Sequence, residues 1–242
     1  MILGVIPARG GSTGVPRKNL RLVSGKPLIA HAIENGRACK RIDKLMVSTD
    51  SEEIAKVAES AGAWVPFIRP SHLAQNDSPM LAVLEHALVE VELTQRTKIS
   101  AVVLIDPTAP LRMVQDLDQA IALFERESPD AVISGTPAKR NPYFNMVEEN
   151  SGFFQLVKKS NTEITRRQDC PKVYDLNTVV WIFSREAIIE IRERIPPKTL
   201  VFEVPEARAI DLDTEEDFKR LESERRNVSR AAIESSKRGI SN

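Results

Sequence analysis

The sequence opens with "MILGVIPARGGSTGVPRKNL" (residues 1–20), in which a short apolar run leads directly into a loop of glycine, proline and basic residues. The apolar run predicts a buried β-strand over residues 2–6. In an open α/β sheet, ligands bind where the strands end. Glycines in such a loop let backbone N–H groups approach an anion, because no Cβ stands in the way. The opening stretch therefore predicts a strand followed by an anion-binding loop.

The first 33 residues contain no acidic side chain but five basic ones, which are Arg9, Arg17, Lys18, Arg21 and Lys26. The whole chain of 242 residues balances 34 Lys and Arg against 34 Asp and Glu. A neutral protein exerts no general attraction on nucleic acid or on an anionic membrane, so we expect neither as a partner. The local positive charge instead favours a polyphosphate ligand. A tight turn whose cations are only solvated is the alternative.

The loop lacks the spacing of two common phosphate-binding motifs. It does not read G-x-x-x-x-G-K-[ST], and G-x-G-x-x-G is absent. These motifs mark P-loop NTPases and dinucleotide-binding Rossmann sites. Neither motor-type ATP hydrolysis nor hydride transfer is therefore favoured.

Short apolar runs alternate with segments of helical period along most of the chain, which is typical of an α/β protein with a mostly parallel sheet. The predicted strands are 2–6, 44–49, 64–68, 101–106, 130–135 and 179–183, and the predicted helices are 27–38, 51–62, 78–92 and 115–127. Ser51 and Ser78 are the expected N-caps of two of these helices.

The alternation breaks over residues 137–178, which are rich in turn residues and predict an antiparallel hairpin with "EENSG" (148–152) as its turn. We expect this arm to contact a second copy of the chain, giving a homodimer. A β-layer folded back on the same chain is the alternative. We expect one domain over residues 1–225, followed by a charged, serine-rich tail over 226–242.

Cysteine usage and hydropathy bear on the compartment. Cys39 and Cys170 form no C-x-x-C motif, and they suit a reducing environment rather than a zinc site. No apolar stretch reaches membrane-spanning length. We therefore expect a cytoplasmic protein.

Several motifs together carry a resemblance to a known family. They are "IPARGGSTGVPRKNL" (6–20), "VSTD" (47–50), "IRPSHLAQNDSP" (68–79), "DPTAPLR" (106–112), "NPYFNMVE" (141–148) and "IDLDTEEDF" (210–218). In this order, over roughly residues 2–222, the chain resembles the cytidylyltransferases that make CMP-sialic acid and related CMP-nonulosonates. The resemblance implies a three-layer, Rossmann-like α/β fold of the nucleotide-diphospho-sugar transferase type. It also implies transfer of CMP from CTP to the anomeric hydroxyl of an acidic nine-carbon sugar, with Mg²⁺ and release of pyrophosphate, in cell-surface polysaccharide biosynthesis.

The resemblance also implies a set of nucleotide contacts. They are Ala8, Arg9, Gly10, Gly11, Ser12, Thr13, Arg17, Lys18, Asn19 and Arg69. At residue 13 the family commonly has Lys, so either Arg17 supplies the missing charge or phosphate stabilisation is weaker. Arg69 is alternatively one partner of a surface ion pair. Arg9 and Lys18, with two acidic residues near the end of the chain, are the expected catalytic residues.

Those acidic residues are Asp211 and Asp213 in "IDLDTEEDF". At positions i and i+2 they lie on one side of an extended segment and can converge on one cation. Mg²⁺ prefers one or two carboxylates together with phosphate oxygens and water, and the resemblance assigns both residues to it. The alternative is that Thr214 and Asp217 form a capping box and Asp213 only helps the helix to begin.

On the sugar side, the resemblance implies contacts from Thr108, Arg112, Arg167, Gln168 and Asn177, and we expect Asp106, in the same segment as Thr108, to contact the substrate as well. Three residues depart from the family pattern, since Asp106, Ala109 and Thr178 stand where Gln, Ser and Gly are common. The acceptor therefore stays open. The alternatives are a nucleotidyltransferase for a different sugar or acid, and a nucleotide-binding protein that has lost turnover.

Overall fold

The computed structural model of the chain describes residues 1–12, 14–160 and 164–222. Its central sheet has six strands in the order β10-β6-β9-β5-β1-β4. They are β1 (Ile2–Pro7), β4 (Lys44–Ser48), β5 (Ala101–Leu104), β6 (Ala131–Pro137), β9 (Tyr174–Ser184) and β10 (Thr199–Glu203). Strand β1 pairs in parallel with β4 and β5, and β6 pairs in parallel with β10, whereas β9 runs antiparallel to both of its neighbours. The predicted α/β fold with a mostly parallel sheet is confirmed.

Helices cover both faces of this sheet. They are α1 (Leu28–Ala38), α2 (Glu52–Ser60), α3 (Met80–Gln95) and α4 (Val114–Glu127). Alternate residues of β1 enter different cores, because successive strand side chains point to opposite faces. Ile6 joins the cluster of α1, α2 and α4, and Val5 joins the cluster of α3. The arrangement has three layers, as predicted. No helix within the described ranges is long and apolar enough to cross a membrane.

Two local predictions need correction. Residues 64–68 form only isolated parallel bridges, Met46 with Trp64 and Thr49 with Ile68, rather than a strand. Ser51 caps α2 as predicted, since its side chain accepts the N–H of Ile54. Ser78 does not cap α3, because its hydroxyl accepts from Gln75 N and donates to the His72 carbonyl within the preceding loop.

The arm contains the predicted hairpin, formed by β7 (Val147–Asn150) and β8 (Phe153–Leu156). Its turn residues Ser151 and Gly152 have φ values of 53° and 83°, which suit a two-residue hairpin turn. All residues of both strands are exposed, and Phe153 retains 79% of its accessible surface. Within the described part of the chain the hairpin pairs with no other strand, which disfavours a layer folded back on the same chain.

A small apolar cluster joins the two ends of the described chain. Val15, Val23 and Leu28 follow the glycine-rich loop, and they pack with Leu212, Phe218 and Leu221. Strands β2 (Leu22–Val23) and β3 (Lys26–Pro27) carry part of this cluster as a two-stranded sheet. The helix at residues 215–222, named α5 here, supplies the other part. Burial of these side chains brings segments nearly 200 residues apart into contact.

Candidate active site

A cleft of about 300 Å³ opens at the carboxyl ends of β1 and β5. It is the place at which an open α/β sheet is expected to bind its ligand. The lining residues are Pro7, Arg9, Lys18, Asn19, Arg69, Met80, Asp106, Thr108, Thr178, Asp211 and Asp213. Most of them are site residues that the sequence predicts.

The glycine-rich loop and the segment 211–213 are in direct contact at this cleft. Lys18 Nζ lies 2.8 Å from Asp213 Oδ1. A Cβ at Gly14 would lie 2.5 Å from the backbone oxygen of Asp213, so only glycine allows the two backbones to come this close. Basic and acidic groups from opposite ends of the chain therefore share one site.

Other residues of the loop hold its shape rather than line the cleft. Ala8 is buried and donates its N–H to the Ser48 carbonyl. The N–H of Gly10 is taken by Asp50 Oδ1 at 2.8 Å, so it is not available to a phosphate in this structure. Gly11 and Ser12 also lie outside the cleft lining. Thr13 lies outside the described residues.

Asn19 has both roles. It is buried and lines the cleft, and its Nδ2 donates to the Arg9 carbonyl at 3.1 Å. This bond ties the beginning of the loop to its end. Arg9 itself reaches Asn76 through Nη1 and lines the cleft.

The five positive charges near the N-terminus do not all face the cleft. Arg17 pairs with Glu53 of α2 and does not line the cleft. Arg21 pairs with Glu215, and Lys26 pairs with Glu34. Arg9 and Lys18 are the two of the five that line the cleft.

Arg69 supplies a cation to the cleft from a different segment. It is only 4% exposed, and its Nε and Nη2 have no hydrogen-bond partner among the described residues. Burial lowers the pKa of its guanidinium, with Asp50 opposing this effect and Arg9 adding to it. A buried donor without a partner is costly, so these atoms are suited to a ligand. The alternative of a surface ion pair is excluded by this burial.

Asp211 and Asp213 both line the cleft, as alternation along an extended segment predicts. Leu212 between them is fully buried, and its N–H donates to the Thr108 carbonyl at 2.9 Å. Asp211 Oδ1 is buried without a hydrogen-bond partner in the described structure. Burial raises the pKa of Asp211, and Asp106 and Asp213 raise it further, whereas the Thr108 hydroxyl and Lys18 lower it.

These observations fit a divalent cation. A desolvated carboxylate oxygen beside two other acids is unfavourable until positive charge compensates it. Within the described ranges no three His, Cys, Asp or Glu side chains are placed to hold one metal ion together, so the cation would take two carboxylates and its remaining ligands from elsewhere. Mg²⁺ commonly binds in this way when substrate phosphates are present.

The side chain of Asp213 takes no part in the cap of the following helix. Thr214 and Asp217 do form a capping box, with Thr214 N donating to Asp217 Oδ2 at 2.7 Å and Asp217 N donating to Thr214 Oγ1 at 3.3 Å. Asp213 contributes only its backbone N–H to Asp217. Its carboxylate remains free of capping and contacts Lys18 instead.

On the opposite side of the cleft, Asp106 Oδ1 accepts from the N–H and the hydroxyl of Thr108, each at 3.0 Å. Thr178 lies beside them, with 3.4 Å between the two threonine hydroxyl oxygens. Asp106 and Thr178 also border an apolar cavity of about 380 Å³, whose walls include Trp181 and Phe183. Two of the residues that depart from the family pattern thus lie together.

Arg112 does not face the cleft, so its prediction as a substrate contact needs correction. It is 3% exposed and donates to the backbone carbonyls of Asp106, Thr178 and Val179. Burial lowers the pKa of its guanidinium to about 10, against the opposing effect of Asp106, Asp116 and Asp211. Arg112 therefore lies behind the wall of the cleft, where it binds the backbone of residues that line it.

The remaining predicted sugar contacts also lie elsewhere in this chain. Arg167 and Gln168 are exposed on the arm, and Arg167 donates to the carbonyls of Ala138 and Lys139. Asn177 accepts from Ser134 and from Val179 N, and its Nδ2 is buried without a partner among the described residues. None of the three lines the cleft of its own chain.

The predicted site residues do not include three that line the cleft, which are Pro7, Met80 and Thr178. Sequence reasoning also missed an ion pair behind the site, in which Arg208 donates from Nε and Nη2 to the buried Asp116 of α4 at 3.1 and 2.8 Å. Arg208 directly precedes the segment that carries Asp211. No local pattern could have identified this pair, because its partners lie 92 residues apart.

Comparisons with known proteins identify the family of the chain. A family model described as cytidylyltransferase matches residues 3–228. A CMP-N,N'-diacetyllegionaminic acid synthase of Campylobacter jejuni is 38% identical over 221 residues, covering 91% of this chain and 93% of that protein. A post-translational flagellin modification protein B of Campylobacter coli is 37% identical, with the same shares covered.

The fold also matches solved structures. A CMP:2-keto-3-deoxy-manno-octonic acid synthetase complexed with CTP superposes with a TM-score of 0.65 at 16% identity, covering 93% of this chain and 98% of that one. At such an identity the likeness shows the fold alone. The family match spans almost the whole described chain, and two relatives exceed 35% identity over nine-tenths of it. The chain therefore belongs to the cytidylyltransferase family.

Proposed function

We propose that this enzyme transfers CMP from CTP to the anomeric hydroxyl of a nonulosonic acid of the legionaminic, pseudaminic or sialic acid type, with release of pyrophosphate. The observation that carries the proposal is the contact of Lys18 with Asp213, because it brings together a basic side chain that we assign to phosphate binding and an acidic one that we assign to metal binding. The 38% identity to a CMP-N,N'-diacetyllegionaminic acid synthase supports the acceptor class.

The cleft provides what nucleotidyl transfer requires. A hydroxyl attacks the α-phosphorus while negative charge accumulates on the leaving pyrophosphate, so preplaced cations lower the barrier. Arg9, Lys18 and Arg69 supply positive charge and N–H donors around the space for the triphosphate. The two donors of Arg69 that lack a partner among the described residues support its assignment as a nucleotide contact.

We further propose that Mg²⁺ binds at Asp211 and Asp213. The buried oxygen of Asp211 that lacks a partner supports this assignment. Bound there, the ion would neutralise charge on the phosphate oxygens. Lys18, which contacts Asp213, would add positive charge on the same side of the cleft.

The arm supports a proposal about assembly. Phe153 and Phe154 remain 79% and 70% exposed on the hairpin, and large apolar side chains in this state favour a protein contact. We propose a homodimer in which the arm carries Arg167 and Gln168 towards the partner's cleft. A cytoplasmic location is proposed on the free thiols of Cys39 and Cys170.

The test is incubation of the protein with CTP, Mg²⁺ and a panel of nonulosonic acids, with pyrophosphate release as the readout. We expect release with at least one acid of the panel, and formation of the matching CMP-sugar by mass spectrometry. UTP, GTP and dTTP serve as controls for base selection. The absence of pyrophosphate release with every acid of the panel, together with no binding of CTP, would refute the proposal.

Asp211→Asn and Asp213→Asn test the proposed metal ligands, because each substitution removes one negative charge with little change in shape. Both should fold and lose turnover. Turnover with UTP equal to that with CTP would instead favour a nucleotidyltransferase for a different activated sugar. Tight binding of CTP without turnover on any acceptor would favour a protein that has lost catalysis.

A further inference from the structure

Strand β9 has an irregularity where it passes the cleft. Ile133 of β6 pairs with Trp181, but Gly135 pairs with Leu176, so residues 177–180 stand opposite Ser134 alone. The ladder between β9 and β5 ends at the pair Leu104–Trp181. Bulges of this kind redirect side chains and are frequent beside active sites. Here the bulge is what brings Thr178 to the cleft.

A bulge leaves backbone groups without ladder partners, and buried backbone groups need replacements. Arg112 supplies them on one side, with Nη2 donating to the Asp106 carbonyl at 2.7 Å and to the Thr178 carbonyl at 2.9 Å. Its Nε donates to the Val179 carbonyl. The side chain therefore joins the bulge in β9 to the end of the neighbouring strand.

Ser134 of β6 supplies hydrogen-bond partners to the bulge from the opposite strand. Its hydroxyl contacts the Asn177 carbonyl at 3.1 Å and the Asn177 side-chain oxygen at 2.7 Å, and it accepts the N–H of Val180 at 3.0 Å. Ser134 is fully buried, as expected of a structural contact.

An ion pair does not explain the buried charge of Arg112. Within the described ranges no acidic side chain forms a salt bridge with it, and its Nη1 has no partner. A fully buried guanidinium whose donors go to carbonyls on two strands is suited to fixing geometry. The two residues that it holds through their backbone, Asp106 and Thr178, both line the cleft.

We propose that Arg112 is a positioning residue that fixes the β9 bulge, and through it the placement of Asp106 and Thr178 on the acceptor side of the cleft. This inference rests on the proposed CMP transfer. It predicts a specific kinetic pattern, because the loop cations and Arg69 that serve the nucleotide have no hydrogen bond to Arg112 in the described structure.

The experiment compares Arg112→Met, Arg112→Lys and Ser134→Ala with the parent enzyme. For Arg112→Met we expect kcat/KM for the acceptor to fall by about 100-fold, the scale of a displacement near 1 Å, while the Kd for CTP stays within about twofold. Arg112→Lys should recover part of the loss, because an ammonium reaches some of the same carbonyls but lacks the fork. Ser134→Ala should show the same pattern in weaker form, and it creates no unpaired buried charge.

Arg185→Met is the matched control, since Arg185 also donates two hydrogen bonds, to Glu92, but lies away from the cleft. We expect it to leave the acceptor kinetics unchanged. Unchanged acceptor kinetics in Arg112→Met would overturn the proposal. So would an equal loss of CTP affinity and acceptor kcat/KM, which would show a general structural role.

Hydrogen exchange of residues 176–182 in the ligand-free protein gives a readout that does not depend on turnover. Arg112→Met and Ser134→Ala should accelerate exchange there and leave the rest of the sheet protected. If the parent enzyme transfers CMP to none of the nonulosonic acids, the proposed function fails. Hydrogen exchange of residues 176–182 and the affinity for CTP still decide whether Arg112 fixes the bulge. Unchanged protection of the segment would then overturn the inference.

Discussion

The contact between Gly14 and Asp213 offers a direct test of the shared cleft. Gly14→Ala would place a Cβ 2.5 Å from the backbone oxygen of Asp213 and 3.7 Å from its carbonyl carbon. We expect the main effect of the substitution to come from displacing the segment that carries the two acids.

An ordinary contact requires about 3.4 Å, so relief of the clash needs a movement of roughly 1 Å. Overpacking of this kind costs about 1–3 kcal/mol, which lowers Tm by about 3–9 °C in a chain of this size. A displacement near 1 Å at catalytic groups reduces turnover by about 100-fold. We also expect a higher Mg²⁺ concentration at half-maximal rate, because Asp213 moves with its backbone.

Gly11→Ala is the matched control, because its added methyl group meets nothing within 4 Å. It should leave Tm unchanged, and any effect on CTP affinity should not alter the Mg²⁺ dependence. Thermal unfolding and pyrophosphate release at varied Mg²⁺ provide the measurements. A Gly14→Ala variant with the Tm and Mg²⁺ dependence of its parent would refute the reasoning.

Three further variants probe the supports of the site. Phe218→Ala removes a buried ring whose centroid lies 4.2 Å from the guanidinium carbon of Arg21. The free energy of unfolding, measured in urea, should fall by about 3–5 kcal/mol. Arg208→Met leaves the buried Asp116 without its partner and should lower the free energy of unfolding in urea by about 2 kcal/mol, less than for a fully buried pair because Arg208 is partly exposed. An unchanged urea midpoint would contradict this role of Arg208. Because the pKa of Asp211 is raised in the folded state, its ionisation lowers stability as pH rises past the ordinary Asp range, so Asp211→Asn should have a higher Tm than the parent at about pH 7 without Mg²⁺. That difference should shrink towards about pH 4, and a constant difference across this range would argue against the cause given.

Patterns with a local physical cause could be predicted from the sequence. The strand-helix alternation depends on hydrophobic period, and the hairpin turn depends on the conformations available to Ser151 and Gly152. The placement of Asp211 and Asp213 on one side follows from strand alternation, and the structure bears it out at the cleft.

Features that depend on partners distant in sequence could not be predicted. The charge of Arg17 appeared available, but Glu53 neutralises it from another element. Arg112 is predicted to contact the substrate from the resemblance of "DPTAPLR" to the family motif, but the bulge in β9 whose carbonyls accept its hydrogen bonds leaves no mark in the local sequence. Ser78 has the residue type of a helix cap, but its hydroxyl finds closer partners in the preceding loop.

The central claim is that cations of the N-terminal loop and acids near residue 212 bind one metal–nucleotide complex. Calorimetric titration of CTP into the protein, with and without Mg²⁺, tests this most directly when Asp211→Asn and Asp213→Asn are compared with the parent. We expect Mg²⁺ to strengthen CTP binding in the parent and to have little effect in either variant, while binding without metal is kept or becomes tighter as Lys18 is released from Asp213. An equal effect of Mg²⁺ in all three proteins would contradict the account.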